Sequence, residues 1–173
     1  LRDVYKRQLY GSGTGDISLI DPENNSVIKN HFYSVNGFPA GDVAISLSFV
    51  DDFLYLVVNN SGKVIKLNGT SFQEISSLSN LVSPRYILPI GPNKLYVSIF
   101  NSQSIKVIDT QSLSISQSIH TGRSIEKMQR IGNEVWCANW SEYNSGLTNN
   151  VVLVIDSETD LLIDSIIVGK EPN

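Results

Sequence analysis

The chain has 173 residues, 41% of them hydrophobic, and a formal net charge of −4. That composition supports one globular core and supplies no basic stripe, which argues against nucleic acid as a partner. One cysteine and two histidines cannot build a disulfide framework or a Cys/His metal centre, and no run of about 18 apolar residues is available to span a membrane.

In chain order, Leu1 to Gln8 comes first and fits nothing that follows. It reads as a non-native tail, similar to translated adapter sequence, and stands outside the fold. Short apolar or alternating runs bounded by Gly, Asn, Ser and Pro then predict strands throughout. A first, partial group ends one strand near Leu9-Tyr10 and continues with strands at 16–20 and 26–32. A second group has strands at 42–49, 53–58, 63–67 and 72–78. A third has 85–90, 94–99, 104–108 and 113–119, and a fourth has 125–131, 134–139, 150–155 and 161–168. No segment shows helical periodicity over three turns, and 124–130 is read as a strand because of its place in the order. His31 and His120 fall at matching ends of the last strand of their groups.

The groups repeat. Tyr55 to Tyr96 is 41 residues, Tyr96 to Trp136 is 40, and Asn68 to Asp109 is again 41. A strand-only repeat of about 40 residues is the signature of propeller blades. The expected fold is therefore all-β: a β-propeller fragment of about three and a half four-stranded antiparallel blades, at about 9–34, 41–78, 84–119 and 124–168. Residues 9–173 form one partial propeller, the next blade opens at 170, and the whole reads as the N-terminal half of a protein of about seven blades. Asp21, Asn68, Asp109 and Asp156 open the turns between the third and fourth strands (C and D), where a side-chain oxygen can cap the turn's own backbone. Tyr55, Tyr96 and Trp136 recur at the repeat period and are expected to be packing residues. Cys137 is expected to be a buried, inert thiol.

Loops that join strand D to the next strand A, and strand B to strand C, gather on one propeller face, where function usually sits. They supply Phe38, Asp42, Asn59, Arg85, Phe100, Asn101, Arg123, Asn139, Trp140 and Tyr143 as candidate ligand-binding residues. Aromatic planes beside amides and a few charges suit a large, flat, polar-edged ligand or a protein partner. Asn59 and Asn139 equally suit loop capping, and Trp140 and Tyr143 mark the longer loop of the fourth copy. No catalytic residue, metal ligand or cofactor is expected. Gly11-Ser12-Gly13-Thr14-Gly15 precedes a strand, not the helix that a phosphate loop requires. Asp109 with Ser112 is turn chemistry.

Leu95-Tyr96-Val97, Ile105 to Thr110 and the closing Ile167-Val168-Gly169-Lys170-Glu171-Pro172 resemble the YncE-like, YVTN-repeat propellers of bacteria. Further stretches, including Val35 to Val43, Val58 to Lys63, Ser83 to Ile87 and Trp136 to Ser141, are similar to a subgroup of surface lipoproteins that includes BtuG-like corrinoid binders. The crossover Gly122-Arg123-Ser124-Ile125 departs from the family's Gly-x-x-Pro pattern. The resemblance implies a non-enzymatic ligand-binding propeller of the cell surface, outer membrane or periplasm. Its ligand would be a corrinoid of the vitamin B12 type, captured for a TonB-dependent outer-membrane transporter. Two alternatives stay open: a lactonase-like propeller hydrolase with its catalytic residues in further blades, and a scaffold for protein partners.

Overall fold

The computed structural model describes residues 10–11, 15–139 and 149–172. The chain divides into two compact units, Leu1–Asn80 and Leu81–Asn173. In the first, a hairpin of β1 (Leu19–Asp21) and β2 (Ser26–Ile28) is followed by a short helix, α1 (His31–Asn36). A four-stranded sheet of β3 (Ala44–Val50), β4 (Phe53–Val58), β5 (Lys63–Asn68) and β6 (Glu74–Leu78) completes that unit. The second unit holds two such sheets. One is β7 (Pro84–Gly91), β8 (Lys94–Ile99), β9 (Ser104–Asp109) and β10 (Ser114–His120). The other is β11 (Ile125–Ile131), β12 (Glu134–Asn139), β13 (Val151–Asp156) and β14 (Leu161–Ile167). Every four-stranded sheet is an antiparallel meander in chain order, so each expected blade from the second to the fourth is present.

Burial explains the composition of the strands. In β4 and β8, the five residues after the first are all buried, as in a strand covered on both faces. That is why Leu54 to Val58 and Leu95 to Ile99 are so nearly continuous in apolar residues. β12 instead alternates, and Trp136 is only half-buried, its indole N–H donating to Glu134 Oε2 at 3.0 Å. Tyr55 and Tyr96 are buried as expected, but the third member of that series is not. The fourth strands are the exposed ones: all of β14, and every residue of β10 except Ile119, is open to solvent.

The C–D turns behave as their first residues predict. Asp21 Oδ1 accepts from the N–H groups of Glu23 and Asn24, and Asn68 Oδ1 from those of Thr70 and Ser71. Asp109 Oδ1 caps Gln111 and Ser112, and Asp156 Oδ1 caps Glu158 and Thr159. These bonds favour the ionised side chain. The amide of Asn24 holds the Asp21 carboxyl below its usual range, and the Thr159 and Glu158 N–H groups do the same for Asp156. Four residues past each cap the backbone turns left-handed, at Asn25, Phe72, Leu113 and Asp160, with φ of 49°, 60°, 48° and 60°. Phe72 and Leu113 tolerate this because their side chains are buried. Asp160 tolerates it because its carboxylate is held by Lys94 Nζ at 2.8 Å and by the Tyr96 hydroxyl.

The first copy departs from expectation. Its last strand stops at Ile28 instead of reaching Phe32, and His31 opens a helix in place of ending a strand. Asn30, at the N-cap, makes no side-chain capping bond. Asp16 supplies the cap from another segment, accepting from Phe32 N at 2.8 Å and Tyr33 N at 3.1 Å. Gly37, at φ 78°, ends the helix with its N–H on Tyr33 O. Six residues cannot hold a helix unaided. Phe32, fully buried, and Asn36 anchor it: the Asn36 side chain donates to Phe72 O at 3.1 Å and accepts from Glu74 N at 2.8 Å.

Each unit has its own core. In the first, Ile17, Leu19 and Phe32 of the partial copy pack with Leu54, Leu56, Leu67 and Phe72. In the second, Tyr96, Ile105 and Val107 of one sheet meet Val135, Cys137 and Leu153 of the next. Cys137 is the thiol expected to be inert. Burial pushes its pKa up from 9.0 to about 12. Tyr96 is raised in the same sense by burial, then by its bond to Asp160. A raised folded-state pKa contributes stability below the unfolded value that is lost as pH climbs through the folded one. Unfolding titrations are therefore expected to show stability falling from about pH 9 to 12. Native Cys137 should resist a thiol reagent near neutral pH and react fully in denaturant. Rapid native labelling would contradict this burial.

Candidate functional site

In the second unit, the ends of strands A and the B–C turn converge. Arg85 is the second residue of β7 and Glu126 the second of β11, so the two hold the same place in consecutive repeats. The guanidinium grips the carboxylate from the side. Arg85 Nε lies 3.0 and 2.9 Å from the two Glu126 oxygens, and Nη2 also donates to Oε1. Glu126 is buried, and Arg85 is about one-fifth exposed. The guanidinium carbon sits 5.5 Å from the centre of the Phe100 ring, a cation–π arrangement.

The turn after β8 is locked into this cluster. Phe100 N donates to Ser83 O at 3.0 Å, and Asn101 N donates to Ser124 Oγ at 3.2 Å. Asn101 takes a left-handed φ of 54° and is exposed. Below them the Ser98 hydroxyl donates to Glu126 O at 2.8 Å. Of the residues singled out in the sequence, the structure brings Arg85, Phe100 and Asn101 together. Glu126 and Ser124 join them without having been predicted. The available signal for Glu126 was its charge, opposite to that of Arg85 at a spacing equal to the repeat.

Arg123 and Asn139 are each held by a residue at or just before the start of β13. Arg123 Nη1 donates to Asn149 Oδ1 at 3.2 Å, and Asn139 Oδ1 accepts from Val151 N at 3.1 Å. Asn139 is fully buried and caps β13, the loop-capping role weighed for it. Trp140 and Tyr143 lie outside the described residues.

The remaining predicted residues belong to the first unit. Asp42 is buried, and its carboxylate accepts from Gly11 N at 2.8 Å and from the Asn60 side chain. Its own N–H donates to Ser61 Oγ at 2.8 Å. The preceding Gly41 has φ 128°, and a Cβ there would stand 2.6 Å from Ser61 Oγ, so only glycine allows this approach. Asn59 is buried in the same turn, its N–H on Val43 O at 2.7 Å. Phe38 sets its ring edge-on to that of Phe32, with the centroids 5.8 Å apart.

A cleft of about 300 Å³ lies on the β1–β2 hairpin, lined by Leu19, Ile20, Asp21, Pro22, Glu23, Ser26 and Ile28. None of the predicted residues is there. Its one aspartate is engaged as a turn cap, so volume and chemistry do not coincide. Among the described residues, no group of three His, Cys, Asp or Glu side chains can hold a metal, and no helix is long and apolar enough to cross a membrane.

Four-stranded meanders with functional groups at strand ends and turns define a β-propeller protein. The chain belongs to the family described as Domain of unknown function (DUF5074), whose model matches residues 6–171. No curated protein matches the sequence. Among solved structures it is similar to hydrazine synthase of Kuenenia stuttgartiensis, at 19% identity and TM-score 0.67, over 88% of this chain and 43% of that one. It is similar to BamB from Moraxella catarrhalis at 12% identity and TM-score 0.60, over 88% and 43%. The WD40 domain of Neurospora crassa Pan2 aligns at 15% identity and TM-score 0.56, over 75% and 39%. At such identities the likeness is one of fold, and the chain spans less than half the length of each.

Proposed function

We propose that this propeller binds a ligand and does not turn it over. The observation that supports this most directly is the Arg85–Glu126 pair. A hydrolase of the lactonase-like kind needs carboxylates or histidines converging at strand A starts, available to a metal or a substrate proton. In the second unit a described carboxylate at such a start is Glu126, and a guanidinium occupies both of its oxygens. Around it stand the Phe100 ring, the exposed residue Asn101 and the Arg85 guanidinium. That surface suits a flat ligand with amide or carbonyl edges. A corrinoid, with its planar ring and peripheral amides, is the specific ligand proposed, delivered to a TonB-dependent transporter from the cell surface or periplasm. The sequence resemblance to BtuG-like propellers supports that choice.

Calorimetric titration of the purified protein with cobalamin tests it. Saturable heat is expected, and Phe100→Ala should weaken binding by about 10-fold, the equivalent of an aromatic contact of about 1.4 kcal/mol. Flat titrations with cobalamin and with a corrinoid lacking its lower base would remove the corrinoid reading.

A further inference from the structure

We propose that Asn36-Gly37 is a latent deamidation site, closed while α1 is folded and opened when α1 frays. The reaction needs no other protein. The backbone nitrogen of Gly37 attacks Cγ of Asn36, and a new C–N bond closes a five-membered succinimide. The bond from Cγ to the side-chain nitrogen breaks, and ammonia leaves with the proton lost by the Gly37 nitrogen. Water then opens the ring at either carbonyl, leaving aspartate or isoaspartate. Glycine after asparagine favours this because no side chain crowds the attacking nitrogen.

In the native fold both reactants are held apart from this course. Gly37 N donates to Tyr33 O at 2.8 Å, so the nucleophile is engaged as a helix cap. The Asn36 amide is held at both ends: Nδ2 donates to Phe32 O at 3.0 Å and Phe72 O at 3.1 Å, and Oδ1 accepts from Glu74 N at 2.8 Å. Release requires α1 to open. A helix of six residues, capped by Asp16 from another segment, opens more readily than the four-stranded sheet behind it. Once formed, aspartate cannot rebuild the staple. A second acceptor oxygen then stands where a donor faced two carbonyl oxygens, and isoaspartate adds a methylene to the main chain. The chemistry converts a transient opening into a lasting detachment of α1 from β6.

The test is peptide mapping by mass spectrometry after incubation at mildly alkaline pH. In denaturant, Asn36 should convert at the rate of the chain's other Asn-Gly pair, Asn68-Gly69. In the native protein its conversion should be slower by on the order of 10-fold or more, in proportion to the open population. Asp16→Ala, which removes the cap from Phe32 and Tyr33, should speed the native reaction without changing the denatured one. Gly37→Ala should slow the denatured reaction, a readout independent of folding. Asn36→Asp should melt at a lower temperature than the parent. Equal native and denatured rates, or a native rate indifferent to Asp16→Ala, would overturn the proposal.

Discussion

Arg85→Ala is expected to lower the unfolding free energy by about 3 kcal/mol, the lower end of what breaking a buried pair costs. The direction follows from burial. Glu126 sits at 5% exposure, and its two oxygens receive three guanidinium contacts. Removing the guanidinium leaves a largely desolvated carboxylate without the partner that compensates it. Arg85 keeps some contact with solvent, which places the effect at the lower end of the range. Urea unfolding should show the midpoint falling with the slope unchanged. The double variant Arg85→Met/Glu126→Leu should lie closer to the parent than Arg85→Ala alone, because buried ion pairs are often replaceable by apolar groups of similar volume. A loss below about 1 kcal/mol for Arg85→Ala would class the pair with surface ion pairs. It would also remove the rigid platform beneath Phe100 and Asn101 on which the binding proposal rests.

The strands were legible wherever local chemistry decided them. β4, β8, β11 and β12 have the bounds read from the sequence, and each meets a turn residue, Asp52, Asn93, Gly132 or Asn133, at the A–B hairpin. The C–D caps were legible for the same reason. α1 was not, because its cap comes from Asp16 and its anchor from Phe72 and Glu74, all distant in sequence. The site was half legible. Phe100 and Asn101 follow from their turn, and Arg85 follows from its strand start. Its partner Glu126 depends on two strands lying side by side, which only the repeat spacing encodes. Asp160 shows the same limit. It occupies the turn position held by Phe72 and Leu113, and its different role depends on Lys94, which lies in the preceding copy.

Ile105→Ala is expected to destabilise the second unit by about 2–5 kcal/mol. Ile105 is fully buried in β9 and belongs to the cluster shared with Val135, Cys137 and Leu153 of the neighbouring sheet. Trimming it opens a cavity where two sheets meet, and neither backbone can collapse into the gap without breaking its own ladder. Ile105→Val removes a single methylene and should cost about 0.5–1.5 kcal/mol. The contrasting position is Ile163 in β14, which is 52% exposed. Alanine there removes little buried surface and should stay within about 0.5 kcal/mol. In a chain of this size, each kcal/mol lowers the melting temperature by about 2–4 °C, so calorimetry separates the two alanine variants. Equal losses at Ile105 and Ile163 would mean that the packed faces of neighbouring blades are not what stabilises this unit. Graded losses at Ile105, from valine to alanine, with little change at Ile163, identify sheet-to-sheet burial as the main source of its stability.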